Sequence, residues 1–417
     1  MANILDPYKA LLGPELIDQL YQISSLLKNI KVLHINSTKL GGGVAEILGK
    51  MVPFMNACGL DTKWEIFEGD PLVFQCTKQF HNLLQGKNAS MPGLSMLHAY
   101  EEANAKNAER LKPLLEESDI VFIHDPQPLG LLQHTTQRKG KWIWRCHVET
   151  SEPSRRAWQY LKKYISDYDA TIFSLEDFTH ALPHPIYLVT PSIDPLSEKN
   201  IELDDAEVTS VYNNFGIDNK RPTLLQVSRF DRFKDPIGVI EAFRLARKFH
   251  SNLQLVLAGG EATDDPEGEI ILNEVKQVAN GDPDIHILLL PADAHRAINA
   301  LQRGATIILQ KSLKEGFGLT VTEALWKAKP VIGGNTGGIR LQIINHHTGF
   351  LVNTPEGAAH RIRYLLQYPD IAKELGINGK RFVKEQFLIT RHLREYLTLM
   401  TTLLFPKGDR INFVRSP

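Results

Sequence analysis

Short apolar runs alternate with stretches of helical period from one end of the chain to the other. That alternation predicts parallel-sheet α/β units. In the first half, KVLHIN (31–36), TKWEIF (62–67), DIVFIH (119–124), KWIWRC (141–146), DATIFS (169–174) and IYLVT (186–190) predict strands. The stretch from Gly43 carries Val44, Ile47, Leu48, Met51 and Met55, an apolar stripe at helical spacing. Pro53 inside it is expected to kink or shorten that helix. The second half repeats the scheme with TLLQVS (223–228), LQLVLAG (253–259), DIHILLL (284–290), ATIILQ (305–310) and KPVIG (329–333). TPSIDPLSEKN (190–200) holds two prolines in a polar cluster and predicts a hinge. The pattern thus predicts one Rossmann-like domain over 1–190 and a second over 191–385. A closing segment, 386–417, contains a helix near 389–405 with no strand after it, a candidate to pack back on the first domain.

Composition narrows the class. At roughly 100–200 residues per domain, 417 residues suit two large α/β domains. Hydrophobic content of 43% and charged content of 23% are ordinary for a soluble globular protein. Lys plus Arg is 47 and Asp plus Glu is 48, for a formal net charge of -1. No basic surplus calls for nucleic acid or an anionic membrane, so any phosphate site must be local. Cys58, Cys76 and Cys146 are odd in number and widely spaced, which suggests neither a disulfide framework nor a cysteine zinc site. The N-terminus reads as an amphipathic helix rather than a signal peptide, and nothing approaches ~18 uninterrupted apolar residues. A cytoplasmic location is expected.

Three motifs in this frame carry chemistry suited to a phosphate or a sugar. STKLGGGVAEIL (37–48) places three glycines between a strand and a helix, where backbone N–H groups can meet a phosphate. It lacks the dinucleotide spacing G-x-G-x-x-G, and a tight strand-to-helix turn would use the same glycines. VSRFDRFKDP (227–236) follows the first strand of the second half, so Arg229 and Lys234 stand at the carboxyl end of a parallel strand. A guanidinium and an ammonium held together can neutralise a leaving diphosphate; two solvated surface charges would look the same. KEGFGLTVTEALWKAKPVIG (314–333) sets Glu315 and Glu323 eight apart around Gly316, Phe317 and Gly318. The N–H groups of Leu319 and Thr320 would meet an anion, Glu315 could accept from sugar hydroxyls, and Glu323 could hold a ribose diol. A capped surface helix explains the acid near its start but not both glycines, the Phe and the second acid together.

The fourth feature is a pair of strand ends, IHDPQP (123–128) and RCHVET (145–150). His124, Asp125, His147 and Glu149 are expected along one cleft edge. Metal chemistry is not expected. Asp282-Pro-Asp284 and Asp167-Tyr-Asp169 have a DxD spacing, but both precede strands and read as turn residues. His346-His347 lies in a polar turn and reads as surface.

Two Rossmann-like halves, the glycine-rich first turn, the Arg…Lys pair and the Glu-x7-Glu block together resemble the retaining GT-B glycosyltransferases. HINSTKLGGGVAEIL, FEGDPLVFQCTKQFHNLLQG, IHDPQP, PSIDPLSEKN, VSRFDRFKDP, DDPEG and EGFGLTVTEALWKAKPVIGG are similar to the trehalose glycosyltransferring synthases over roughly residues 30 to 400. The resemblance implies a GT-B fold, two domains facing across a cleft. It implies the reaction of a nucleoside-diphosphate glucose with glucose to give α,α-trehalose, with no added cofactor or metal and with the base left open among UDP, ADP and GDP. On this chain Arg229 and Lys234 would bind the diphosphate, and Glu323 the ribose. Glu315, with the backbone of Gly316, Phe317, Gly318, Leu319 and Thr320, would hold the donor glucose. His147 would sit beside the reacting sugar, Gly42 and Gly43 would close over the phosphates, and Asp125, Gln127 and Glu149 would line the acceptor pocket. The family carries Asp where this chain has Glu149, a carboxylate one methylene longer. A homodimer is compatible with the resemblance.

Three alternatives stand beside this expectation. Trehalose phosphorylases share the fold and most motifs but use phosphate in place of nucleotide, and resemble this chain with a long extra N-terminal region. A GT-B glucosyltransferase with another acceptor would share the donor site. A nucleotide-sugar-binding sensor on a retired transferase scaffold would need no turnover, which the intact Arg229, Lys234, Glu315 and Glu323 argue against.

Overall fold

The computed structural model describes residues 3–39, 42–87, 89–260 and 266–406. Leu40 and Gly41 of the glycine-rich turn, and Asp264 and Asp265 of DDPEG, lie outside them. The chain divides into two compact units, Met1–Thr190 with Ile389–Pro417, and Pro191–Leu388.

The N-terminal unit opens with α1 (Asp6–Leu12) and α2 (Pro14–Ser24). Its sheet elements run β1 (Lys31–Asn36), α3 (Gly42–Ala57), β2 (Asp61–Ile66), α4 (Pro71–Leu84), α5 (Leu94–Glu117), β3 (Ile120–His124), β4 (Lys141–Arg145), α6 (Arg155–Ile165), β5 (Ala170–Phe173) and β6 (Ile186–Leu188). The six strands form one parallel sheet in the order β2-β1-β3-β4-β5-β6. Every residue of β3 and β5 is buried. Parallel strands covered on both faces carry continuous apolar runs for this reason, and that made them legible. Pro53 does not end α3, which continues to Ala57. The proline forfeits one backbone bond, but buried Ile47, Leu48, Met51, Phe54 and Met55 hold the helix on both sides of it.

The second unit contains α7 (Asp205–Asn214), β7 (Thr223–Val227), α8 (Pro236–Arg247), β8 (Gln254–Gly260), α9 (Pro266–Ala279), β9 (Ile285–Leu290), α10 (His295–Gly304), β10 (Ile307–Gln310), α11 (Leu319–Trp326), β11 (Val331–Gly334), α12 (Ile339–Gln342), β12 (Gly349–Val352), α13 (Pro355–Gln367) and α14 (Pro369–Gln386). Its parallel sheet runs β12-β11-β10-β7-β8-β9. Taken from its first strand this is the 3-2-1-4-5-6 order of doubly wound nucleotide-binding sheets, with the switch point between β7 and β10. β12 was not expected from the sequence; its four residues follow the polar INHHT turn and extend the edge beyond β11.

The last helix, α15 (Ile389–Leu404), closes one face of the N-terminal sheet. Its Leu393, Leu397 and Met400 are fully buried with Leu20, Phe122 and Ile143. Arg391 donates from Nη2 to the Thr190 carbonyl at 2.9 Å. The 190–200 stretch, expected as a hinge, belongs to the second unit from Pro191 on and is densely bonded there. Ile193 N–H donates to the Phe387 carbonyl at 2.9 Å, and Asn200 Nδ2 to the Asp194 carbonyl at 2.9 Å. No helix among the described residues is long and apolar enough to cross a membrane.

Truncating Leu397 to Ala should remove a fully buried side chain from a core that cannot collapse around the gap. The expected loss is about 2–5 kcal/mol from the N-terminal unit, read by urea unfolding followed by tryptophan fluorescence.

Candidate active site

Ligands of open α/β sheets bind beyond the carboxyl ends of strands at the switch point, and in the second unit the predicted residues gather there. After β7 the chain turns through Arg229 into a single helical turn, Arg232–Lys234. Asp235 then adopts a left-handed conformation, φ 52°, and caps α8 by accepting from Gly238 N–H at 3.1 Å. The buried ammonium of Lys311, just past β10, pairs with the Asp235 carboxylate. Buried Gln226 donates to the Lys234 carbonyl at 2.7 Å, which fixes the backbone of that turn.

The Lys234 ammonium lies 2.6 Å from Glu315 Oε2. Glu315 is buried, and Ser312 Oγ donates to the same oxygen at 3.3 Å. Arg229 shares the β7 loop but leaves its side chain 70% exposed, with Nη2 4.0 Å from Asp231 Oδ2. The structure therefore joins Lys234 directly to Glu315 and places the Arg229 guanidinium in solvent on the same loop.

Gly318 stands before α11 with φ 84°, and a Cβ there would lie 3.1 Å from Glu315 Cγ. The turn after β11 packs onto this backbone. A Cβ on Gly337 would stand 1.7 Å from the Glu315 carbonyl oxygen, and one on Gly338 2.4 Å from Phe317 Cα. Gln342 Nε2 donates to the Phe317 carbonyl at 2.6 Å and to the Gly338 carbonyl at 3.1 Å, while Thr322 Oγ1 donates to Gln342 Oε1 at 2.5 Å. The Phe317 ring is buried against Phe387, centroids 5.7 Å apart, so this residue offers a ligand its backbone. The first N–H groups of α11, at Leu319 and Thr320, have no intrahelical acceptor. Glu323 is buried in α11, with Gln302 Nε2 3.5 Å from its Oε2. Lys327, one turn on, donates to the Glu323 carbonyl at 3.2 Å and to Asn200 Oδ1 at 3.1 Å. Burial pushes its ammonium down to about 7, against the pull of Glu323.

In the N-terminal unit the switch point falls between β1 and β3. Gly42 begins α3 with φ 78° and nothing within 4 Å of a Cβ, so backbone conformation is what requires glycine there. At the end of β3, Asp125 takes a left-handed φ of 63°, which Asp tolerates better than most residues. Its Oδ1 accepts from His147 N–H at 2.7 Å, and its carbonyl from Trp144 Nε1 at 3.0 Å. Asp125, expected in an acceptor pocket, bridges the β3 and β4 ends through these two bonds. Burial pushes its carboxyl up to about 6, partly offset by the His147 N–H. Gln127 Oε1 and Glu149 Oε2, on the same two strand ends, are buried with no hydrogen-bond partner among the described residues. The other Glu149 oxygen accepts from Ser151 N–H at 3.0 Å and from its hydroxyl.

Three imidazoles line up behind this edge. His34 Nδ1 is 3.0 Å from His124 Nε2, and His124 Nδ1 is 3.0 Å from His147 Nε2. Burial pushes His34 down to about 3 and holds His124 and His147 well below the ordinary histidine range; His147 and Arg145 add to the effect at His124.

The DxD acids lie in turns before strands, as expected, and three of the four, Asp282, Asp284 and Asp169, are also ion-pair partners, while Asp167 accepts from Gln133 Nε2 at 3.2 Å. Asp282 and Asp284 both bind Arg247, at 2.7 and 3.1 Å, and Asp169 binds Lys141 at 3.0 Å. Among the described residues no group of three His, Cys, Asp or Glu side chains could hold a metal ion. The three cysteines are free and buried, and His346 and His347 are exposed. Sequence reasoning missed His34, Lys311, Asp235, Gln342 and the Gly337–Gly338 turn. GGNTGG (333–338) is itself a glycine-rich strand-to-helix turn, the signal already used at residues 41–43.

Comparison with known proteins agrees with this geometry. Residues 34–180 match the trehalose synthase N-terminal domain, and residues 210–382 match the glycosyl transferases group 1 domain. Trehalose synthase from Thermococcus litoralis is 42% identical over 95% of this chain and 97% of its own. The chain belongs to the trehalose synthase family. It is thus a trehalose-related hexosyltransferase with the GT-B fold. Trehalose phosphorylase from Grifola frondosa is 29% identical over 88% of this chain and 56% of its own length. Among solved structures, the UDP-forming α,α-trehalose-phosphate synthase from Burkholderia xenovorans aligns with a TM-score of 0.72 at 16% identity, covering 90% of this chain and 99% of its own.

Two outcomes follow from the geometry of this trehalose synthase homologue. Gly337→Ala should displace the Glu315 backbone and lower turnover by at least ~10-fold. Gly281→Ala, also at positive φ but with open space around its Cβ, should cost only the local strain of about 1–2 kcal/mol in thermal unfolding. Asp125→Asn keeps the acceptor for His147 N–H and removes the charge of a half-buried carboxylate. Because the Asp125 carboxyl is raised, the wild type loses stability as pH rises toward 6. The Asn variant should therefore be more stable by about 2 kcal/mol above pH 6, an advantage that vanishes toward pH 4 in urea titrations.

Proposed function

We propose that this enzyme transfers glucose from a nucleoside-diphosphate glucose to free glucose with retention, giving α,α-trehalose and nucleoside diphosphate. The observation that carries the proposal is the 2.6 Å contact of Lys234 with Glu315 at the β7/β10 switch point, with Arg229 on the same loop. A cation at that place meets the diphosphate, and the carboxylate it releases accepts from hydroxyls of the transferred glucose. The N–H groups at the start of α11 add positive potential toward the phosphates. Glu323 takes the ribose. Gln127 Oε1 and Glu149 Oε2, without partners among the described residues, support a polyhydroxylated acceptor, since buried acceptors without partners call for donors from a ligand.

The reaction breaks the bond between the anomeric carbon and the diphosphate oxygen. The anomeric hydroxyl of the acceptor glucose forms the new bond on the same face, and its proton passes to a phosphate oxygen of the leaving group. Negative charge grows on the diphosphate as the old bond opens, and Arg229 and Lys234 offset it. Held acceptor geometry supplies the orientation term.

Phosphorolysis is the second reading, favoured by the similarity to the Grifola phosphorylase. Incubation of glucose with UDP-, ADP- and GDP-glucose, scored for trehalose by chromatography, separates the two. Trehalose formation from at least one donor is expected, and turnover confined to trehalose plus inorganic phosphate overturns the proposal. Arg229→Ala should lower kcat with the preferred donor by ~10²–10³-fold in the same assay.

A further inference from the structure

The imidazole chain fixes more than ring positions. A neutral imidazole carries one proton on one of two nitrogens, and each nitrogen-to-nitrogen contact needs one proton between its partners. The 3.0 Å contacts His34 Nδ1···His124 Nε2 and His124 Nδ1···His147 Nε2 therefore force the three rings to point their protons in one common direction. The groups facing them are Arg145 of β4 and His392 and Tyr396 of α15. Burial, with the Arg145 cation nearby, keeps His124 and His147 neutral.

The far end of the chain chooses the direction. His34 is fully buried, its ring stacked on Phe122 at 4.6 Å, and its Nε2 has no hydrogen-bond partner among the described residues. A buried N–H without an acceptor is rarer in proteins than a buried lone pair without a donor. The His34 proton therefore sits on Nδ1 and is donated to His124 Nε2. The His124 proton then sits on Nδ1 and is donated to His147 Nε2, which leaves the His147 proton on Nδ1.

We infer that His34 and His124 are positioning residues that lock His147 as its Nδ1–H tautomer, so that it offers a hydrogen-bond donor, not an acceptor, to an oxygen of a sugar bound at the β3/β4 edge. The sugar in that statement rests on the function proposed above, whereas the tautomer does not. Asp125 Oδ1 holds the His147 backbone at 2.7 Å, so both the main chain and the ring are set before a ligand arrives. A neutral ring committed as a donor is not itself the proton acceptor in the transfer step.

Long-range 1H–15N NMR on the full-length protein with 15N-histidine, with His147 assigned from a His147→Ala sample, reads the tautomer directly. Nδ1–H at His147 from pH 6 to 9 is expected, and Nε2–H overturns the inference whether or not trehalose is made. His124→Asn places an amide donor where Nδ1 stood and should lower kcat no more than about 3-fold. His124→Asp places an acceptor there, flips His147 to Nε2–H, and should lower kcat ~10²-fold at pH 8. In that variant the new carboxylate raises the His147 pKa, so activity should recover as pH falls and the imidazolium regains its Nδ1–H. Equal losses in the Asn and Asp variants with unchanged pH profiles would assign His124 a packing role alone.

Discussion

The Glu315 carbonyl lies where a side chain at residue 337 would have to be, 1.7 Å from the Cβ that Gly337 lacks. That close approach of two backbone turns sets the rest of the site in the second unit. It brings Glu315 to Lys234, orients Gly318 before α11, and leaves Gln342 to tie the Phe317 and Gly338 carbonyls together. A cation and an acid separated by 81 residues meet at 2.6 Å because β7 and β10, the strands before them, are neighbours in the sheet.

The N-terminal unit positions its polar groups through a buried polar chain. His34 on β1, His124 on β3 and His147 after β4 come from three adjacent strands, so sheet register sets the distances between them. Such a chain is affordable in a low-dielectric interior because its links are neutral and mutually bonded. Among the described residues, Gln127 and Glu149 each keep one buried oxygen without a partner at the same edge, which supports the proposed binding of a hydroxyl-rich ligand there.

Much of the fold was legible because strands covered on both faces carry near-continuous apolar runs, as β3 and β5 do, and eleven strands among the described residues lie where the sequence placed them. β12 escaped because four residues at an edge behind a polar turn carry too little pattern. Pro53, expected to kink or shorten α3, does not end it, because burial on both sides of the proline outweighs one lost backbone bond. Arg229, Lys234, Glu315 and Glu323 were legible as candidates because paired charges recur in the turns and helix start that follow β7 and β10, beside glycines that a plain surface helix does not need. Asp125 was legible as a strand-end acid, but its bond to the His147 backbone depends on β4 lying beside β3. His34 was invisible as a functional candidate because a histidine inside a strand reads as core until its neighbour across the sheet is known.

The sequence by itself determined the α/β class, the succession of strands and helices, and the chemical types at the strand ends. Those follow from local periodicity and residue chemistry, which need no distant partner. Only the tertiary structure decided that α15 closes the N-terminal core, that GGNTGG seats Glu315, and that three imidazoles form one proton-ordered row. Each of these depends on groups far apart in the chain, whose distances are set by strand order and packing, and a single sequence carries no direct record of either.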